Sequence, residues 1–159
     1  MTHAIKVEKA RKDYPEHGIK KGEPYWWWKF RFGGKHFSKT PPRRSQLTQS
    51  AFYATLWDIE DDVAELAPDE GLEARIAEVA QALRDLGEEC QSSFDNMPEG
   101  LQEGDTGQML QERIDACEAA ADELESIDCD ISNKDEDQTD EEFWEDVLEA
   151  VQAVSVDAP

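Results

Sequence analysis

The sequence predicts an α+β protein. A small N-terminal antiparallel β-sheet of two or three strands packs on a helix, and an acidic antiparallel helical hairpin and a C-terminal amphipathic helix follow. Three observations predict this fold: an alternating aromatic stretch that runs into Gly33-Gly34, two apolar stripes at helical spacing on either side of a loop, and a third stripe after a capping motif. We expect a basic aromatic β-head (1–45), a connecting helix packed on the sheet (46–67), the acidic hairpin (68–128), an acidic linker (129–138) and the C-terminal helix (139–159).

Charge is divided very unevenly along the chain. The net charge is −22, but residues 1–45 hold 12 of the 16 Lys/Arg and 4 of the 38 Asp/Glu, a net of +8. The remaining 114 residues hold the other 4 basic and 34 acidic residues, a net of −30. Such asymmetry bears on partners rather than on fold. The basic head can bind nucleic acid or an acidic protein, and the acidic body can repel nucleic acid, imitate it or associate with a basic head.

Several classes of protein are not expected. No apolar run reaches the roughly 18 residues of a membrane span, and the N-terminus lacks the apolar core of a signal peptide, so we expect a cytoplasmic protein without a membrane partner. The three cysteines, Cys90, Cys117 and Cys129, form no CxxC pair and predict no disulfide framework. No nucleophile motif or glycine-rich phosphate loop is present, so we expect a non-enzymatic protein without a cofactor.

The aromatic stretch predicts a β-hairpin with two different faces. Ile5 and Val7 give a weak signal for a further strand, and Gly33-Gly34 predicts a two-residue turn that pairs Phe32 with Lys35. Alternation then sorts the side chains. The predicted core face carries Trp26, Trp28, Phe30, Phe32 and Phe37. The predicted outer face carries Tyr25, Trp27, Lys29, Arg31 and His36.

The outer face is the best candidate for a binding site, because bases stack on Tyr and Trp while Lys and Arg neutralise phosphates. Its candidate residues are Tyr25, Trp27, Lys29, Arg31, His36, Arg43 and Arg44. Arg43 and Arg44 follow two prolines and can extend either surface. In the alternative interpretation Tyr25 and Trp27 are covered by the N-terminal strand or by the body, and the cations form a solvated rim.

The rest of the chain predicts four helical stretches. Thr48 is the expected N-cap of the first, which carries an apolar stripe from Phe52 to Leu66. Stripes over 72–94 and 110–127 flank the loop 96–107. They fit an antiparallel hairpin in which paired residue numbers sum to about 207, so that Cys90 faces Cys117. Thr139 and Glu142 form a capping box for the last helix, whose apolar face should dock on the body of its own chain.

No metal site is expected. Residues 128–139 place Asp128, Asp130 and Ser132 like ligands of a calcium loop, but Asn133 stands where the sharp turn needs glycine and Thr139 where a bidentate glutamate is needed. The histidines His3, His17 and His36 have no companion cysteines, which argues against zinc.

Residues 25–40 combine a tryptophan-rich strand, a GGK turn and a second strand ending in SKT. They resemble the small β-sheet DNA-binding module at the N-terminus of phage-type integrases. This resemblance implies a three-stranded sheet, backed by a helix, that presents Trp27, Lys29, Arg31 and His36 to DNA. The chain as a whole resembles uncharacterised small proteins of phages and other mobile elements, and its acidity is similar to that of phage DNA-mimic inhibitors of host defence.

The leading hypothesis is therefore a binding protein whose basic aromatic β-head contacts nucleic acid or an anionic protein. The alternative is an acidic DNA mimic that occupies the DNA-binding groove of a host defence or nucleic-acid enzyme. A third hypothesis is a structural adaptor that uses its last helix. The opposite charges also predict head-to-tail self-association, and the aromatic pair Phe143 and Trp144 of the last helix would allow a homodimer.

Overall fold

A computed structural model of the chain describes residues 2–159 and divides it into two compact units, one ending at Asp58 and the other running from Ile59 to Pro159. The first unit holds a three-stranded antiparallel sheet, and the second is helical. The predicted α+β class is confirmed. The strands are β1 (Ile5–Val7), β2 (Tyr25–Lys29) and β3 (Lys35–Ser38). The helices are α1 (Ala51–Ala64), α2 (Leu72–Asp95), α3 (Glu99–Gln102), α4 (Asp105–Glu125) and α5 (Asp140–Ala153).

The sheet has β2 at its centre, but the predicted hairpin turn is wrong. β2 ends at Lys29, which pairs with Lys35, so five residues rather than two connect the strands. The half-buried ring of Phe30 packs edge-on against His36, with ring centroids 5.4 Å apart, instead of continuing the strand. Gly33 has φ +119, a left-handed value that favours glycine, and lies inside this longer loop.

Helix α1 begins three residues after the predicted cap. The hydroxyl of Ser50 accepts a hydrogen bond from the Tyr53 backbone N–H at 3.4 Å, while the Thr48 hydroxyl accepts one from Ser50 at 3.1 Å. Ser50 is therefore the N-cap, and Thr48 orders the turn before it. Phe52 and Leu56 are buried one helical turn apart, as the apolar stripe predicts.

Helices α2 and α4 form the predicted antiparallel hairpin. Arg84 donates hydrogen bonds to Asp122 at 3.1 Å and to Glu125 at 2.6 Å, while Gly87, further along α2, lies against Cys117, nearer the start of α4. Arg84 and Asp122 sum to 206, and Gly87 and Cys117 to 204, both close to the predicted 207. Cys90 and Cys117 are both buried. Burial raises the pKa of Cys117 to about 11, and the neighbouring Cys90 contributes to the rise.

The connection between α2 and α4 is more ordered than the glycine-rich sequence predicts. It contains the short helix α3, and α4 begins at Asp105 inside the predicted loop. Gly107 shows why a glycine lies in the first turn of α4: a Cβ there would meet the carbonyl oxygen of Gln102 at 2.0 Å. Gly107 thus permits a close approach between α3 and α4.

Helix α5 has the predicted capping box. The Thr139 hydroxyl accepts a hydrogen bond from the Glu142 backbone N–H at 3.2 Å, and Glu142 accepts one from the Thr139 backbone N–H at 2.9 Å. Phe143 and Trp144 are buried, and α5 packs against α2. The aromatic pair is thus part of the helical unit, as expected for docking on its own chain. No helix in residues 2–159 is long and apolar enough to cross a membrane.

Candidate nucleic-acid interface

The observed strand register changes which residues share a face. Trp27 pairs with Phe37, and Trp28 pairs with His36, whereas the predicted turn paired Phe30 with Phe37. The sum of two paired residue numbers is three lower than in the predicted pairing. Because successive residues of a strand point to opposite faces, a register shift by an odd number of residues moves every side chain of β3 to the other face of the sheet. Phe37 therefore joins Trp27, and His36 lies on the opposite face with Trp28.

We call the face that contains Trp27 the front face. Its β2 residues are Tyr25, Trp27 and Lys29, as predicted, and β3 adds Lys35 and Phe37. Ile5 of β1 pairs with Trp27 and is half exposed, at 50 %. The front face is thus apolar and basic, but two of its contributors differ from the predicted set.

Tyr25 is the first correction to the candidate site. Only 8 % of the residue is exposed, and with Ala10 and Ile19 it forms a small core beneath the loop between β1 and β2. Its ring centroid lies 5.5 Å from that of Tyr14. A hydrogen bond with Tyr14 and burial both raise the pKa of Tyr25. Tyr25 therefore supports the fold and is not available for stacking, which is the outcome that the alternative interpretation anticipated for this residue.

Trp27 is partly exposed, and a lysine ammonium lies over its ring. The Lys35 ammonium lies 4.3 Å from the centroid of the Trp27 ring. Cation–π contacts of this kind at exposed sites are worth about 0.5–1 kcal/mol. Lys29 and Lys35 are direct cross-strand partners and both are exposed. Two like charges and an indole therefore share one small patch of the front face.

The front face extends onto the loop between β1 and β2. His17 stacks on Phe37 with ring centroids 4.7 Å apart, and Lys12 lies 5.3 Å from the centroid of Tyr14. The Lys39 ammonium lies 3.7 Å from Glu23, a partly exposed ion pair. This part of the face alternates rings and cations as the Trp27 patch does.

His36 is the second correction. It lies on the rear face, where its ring stacks on Trp28 with centroids 5.4 Å apart. Trp28 is buried, and its Nε1 has no hydrogen-bond partner within the described residues. His36 is exposed but covers this tryptophan, so it does not lie beside Trp27 as predicted.

The three predicted arginines are exposed and lie outside the sheet. Arg31 belongs to the hairpin loop, and its guanidinium lies 5.5 Å from the centroid of Phe32. Arg43 lies 4.0 Å from Asp58. Arg44 lies 5.5 Å from the centroid of Trp57. The structure therefore brings Trp27 and Lys29 together on the front face, places Arg31 at the tip of the loop, and leaves Arg43 and Arg44 before α1.

The sheet from β2 onward, the loop that follows it and the start of α1 contain basic residues but no acidic ones. Residues 24–57 contain six Lys/Arg and no Asp/Glu. Lys29, Arg31 and Lys35 form no ion pair with any carboxylate of the described residues, whereas Lys6, Lys39 and Arg43 each have one. The three cations nearest the hairpin loop are therefore available to an external anion.

Sequence reasoning missed Lys35 and Phe37 as site residues, because the two-residue turn paired Lys35 with Phe32 and Phe37 with Phe30, both on the predicted core face. Their signal lay in the pattern KHF, where a basic and an aromatic residue stand two positions apart, as Trp27 and Lys29 do in β2. Alternation within each strand predicts a face that carries both aromatic and basic residues. The register between the strands determines which residues of β3 lie beside those of β2.

In the acidic segment after α4, carboxylates accept hydrogen bonds from the backbone of the same segment. Asp128 accepts a hydrogen bond from the Asp130 N–H at 2.9 Å, and Asp130 accepts one from the Ser132 N–H at 2.9 Å. Hydrogen bonds from Ser132 lower the pKa of Asp130. Among the described residues no group of three or more His, Cys, Asp or Glu is arranged to hold a metal ion.

The helical unit carries the acidic charge on its surface. From residue 59 onward the chain holds 33 Asp/Glu and 4 Lys/Arg, a net of −29, and its acidic side chains are exposed apart from the half-buried Glu60 and Asp61. Arg75, Arg84 and Lys134 form ion pairs within the unit. The unit is therefore a strongly anionic surface.

Comparison with protein-family models, with curated proteins and with solved structures found no match for this chain. The function must therefore be argued from the geometry and charge of the two surfaces.

Proposed function

We propose that this chain is a non-enzymatic nucleic-acid-binding protein that contacts an anionic strand through the front face of its β-sheet. The observation that supports this proposal is the cross-strand pair of Lys29 and Lys35 beside Trp27. Like charges directly opposite each other destabilise a strand pair, by roughly 0.2–1 kcal/mol. A phosphate between the two ammonium groups removes this repulsion, and a base can lie on the exposed part of the indole.

The surroundings support the same class of ligand. Nucleic acid is bound by exposed Lys and Arg that are not already neutralised by carboxylates, with aromatic rings between them. Lys29, Arg31 and Lys35 meet the first condition, and Trp27 and Phe37 meet the second. An anionic protein lacks the bases that would use the rings, so nucleic acid is the better fit to this face.

Fluorescence anisotropy with labelled single-stranded and duplex oligonucleotides at low salt tests the proposal. The protein should bind, and its affinity should fall as salt rises because counterions are released from the phosphates. Lys35→Glu should weaken binding roughly tenfold or more, since it puts a carboxylate beside the bound phosphate.

Lys6→Glu is the matched control. Lys6 is exposed in the other edge strand, pairs with Trp26 on the rear face, and already lies 2.9 Å from Glu8. This variant changes the net charge equally but should leave the affinity within about twofold. Absence of binding by the wild-type protein at low salt, or equal losses in the two variants, would remove the proposal.

A second candidate function is supported by the net charge of −29 on the helical unit. Such an excess of exposed carboxylates exceeds what solubility requires and can imitate a phosphate backbone. In this case the protein displaces DNA from a basic host enzyme, Lys35→Glu does not affect the displacement, and the purified protein binds no oligonucleotide. A competition assay on a basic enzyme recovered from nuclease-treated lysate separates the two functions.

A further inference from the structure

The loop between β2 and β3 displays one aromatic ring and buries part of another. Phe30 turns back onto His36, while Phe32 is 73 % exposed. Only Ile5 and Leu101 are also large, apolar and exposed among the described residues. A single exposed apolar side chain needs no explanation by itself, so the neighbours of Phe32 must decide its meaning.

The backbone of Phe32 accepts a hydrogen bond, whereas its side chain is exposed to solvent. The Gln49 side-chain amide donates a hydrogen bond to the Phe32 carbonyl oxygen at 3.4 Å. Gly33 and Gly34 follow, and apart from the adjacent residues no described residue has an atom within 4 Å of the position that a Cβ would take at either glycine. The tip of the hairpin is therefore narrow, with open space on the side that follows Phe32.

The charges around Phe32 are all positive. The Arg31 guanidinium lies 5.5 Å from the centre of the ring, and Lys29 and Lys35 stand at the base of the loop without carboxylate partners in residues 2–159. An arginine over one face of a phenyl ring leaves the other face to a second flat group. The ring and its three cations thus combine a stacking surface with sites for phosphate.

We propose that Phe32 stacks on an unpaired base, so that the hairpin tip makes the protein prefer single-stranded over duplex nucleic acid. This inference rests on the proposed function. The bases of a duplex are already stacked on one another, so a ring on a sheet loop gains little from them unless it forces a step apart. In a single strand each base offers a free face, and one base stacked on an aromatic side chain is worth about 1–3 kcal/mol.

The test compares Phe32→Ala with Phe32→Trp in the full-length protein, using a labelled oligothymidylate of about 20 nucleotides and a duplex of the same length. Phe32→Ala should weaken binding of the single strand roughly 5- to 150-fold, the range equivalent to about 1–3 kcal/mol, and change duplex affinity by less than about twofold. Phe32→Trp should retain or strengthen single-strand binding because it keeps a ring.

Leu101→Ala is the matched control for loss of an exposed apolar side chain. Leu101 is 57 % exposed and lies in α3 of the acidic unit, so its removal should not change either affinity. Circular dichroism of each variant should match the wild type, since both side chains are mostly exposed.

Three results would overturn the inference. An equal loss of both affinities in Phe32→Ala would make the ring a general contact, and no loss of either would mean that the ring does not contact the ligand. Loss of binding to phosphatidylserine vesicles with both oligonucleotide affinities unchanged would assign the loop to a membrane surface. A protein that binds neither oligonucleotide at low salt refutes the proposed function itself, and that outcome is distinct from a loss of single-strand preference.

Discussion

Gly107 provides the sharpest test of the helical unit, because the structure leaves no room for a side chain there. A Cβ at this position would lie 2.0 Å from the carbonyl oxygen of Gln102, whereas ordinary contact begins at 3.4 Å, an overlap of 1.4 Å. The obstacle is backbone and cannot rotate away. Gln102 is itself fixed, since its side-chain amide donates to the carbonyl oxygens of Phe94 at 3.1 Å and Met97 at 3.0 Å.

The magnitude follows from two opposing effects. Alanine is favoured over glycine within a helix by up to about 1 kcal/mol. Overpacking costs typically about 1–3 kcal/mol, and displacing Gln102 weakens two hydrogen bonds worth about 1 kcal/mol each. We therefore expect Gly107→Ala to lower the free energy of unfolding by about 2–3 kcal/mol, which reverses the sign that helix propensity alone predicts.

Urea unfolding followed by far-ultraviolet circular dichroism measures this change, because helices dominate that signal. Gly100→Ala is the control: this glycine lies in α3, is exposed, and has no atom within 4 Å of the position of a Cβ. It should be neutral or slightly stabilising. A Gly107→Ala variant as stable as Gly100→Ala would refute the close approach between α3 and α4.

Four further outcomes are expected. Iodoacetamide should modify half-buried Cys129 before Cys117 in the folded protein, because burial raises the pKa of Cys117 to about 11; equal rates would contradict the buried position. Thr139→Ala should cost about 1 kcal/mol in urea unfolding. Hydrogen bonds from Thr139 hold the pKa of Glu142 below its ordinary 4.5. The ionised Glu142 therefore stabilises the folded protein at neutral pH, and this contribution is lost as the pH falls below 4.5. Glu142→Gln should lack this pH dependence of stability. Added salt should raise the melting temperature of the acidic unit while weakening nucleic-acid binding by the head.

The helical hairpin could be predicted because two long stripes restrict each other. Leu83, Leu86 and Cys90 recur at helical spacing, and few antiparallel registers bring such a stripe against another of equal length. The ion pair of Arg84 with Asp122, whose numbers sum to 206, lies close to this register.

The sheet register could not be predicted with the same success, because Gly33-Gly34 predicts a two-residue turn and the strands are joined by five residues. What decides the loop is the packing of Phe30 on His36, a contact between residues that the predicted turn did not pair. Alternation within β2 does not depend on register, so Trp27 and Lys29 were placed on the same face. The contribution of β3 does depend on it, and His36 was exchanged for Lys35 and Phe37.

Tyr25 shows a different limit of the sequence. It shares a face with Trp27, yet the segment after β1 folds back over it, with Ala10 and Ile19 buried beside it. The backbone of Ala10 donates to Glu23 at 2.9 Å and accepts from Gly22 at 2.9 Å, which fixes that segment against the start of β2. Prolines and glycines in this stretch predict a loop, but not which ring the loop covers.

The separation of charge also limits how nucleic acid can be bound. The acidic unit repels phosphates, so contacts must come from the head, which holds 12 Lys/Arg in residues 1–45. Each phosphate neutralised on a single strand contributes about −0.7 to the slope of log affinity against log salt. Contacts by Lys29, Arg31 and Lys35 alone give a slope of about −2, and contacts by all twelve cations give about −8. Because the proposed interface uses only Lys29, Arg31 and Lys35, a slope of about −2 is expected and would restrict the interface to the hairpin.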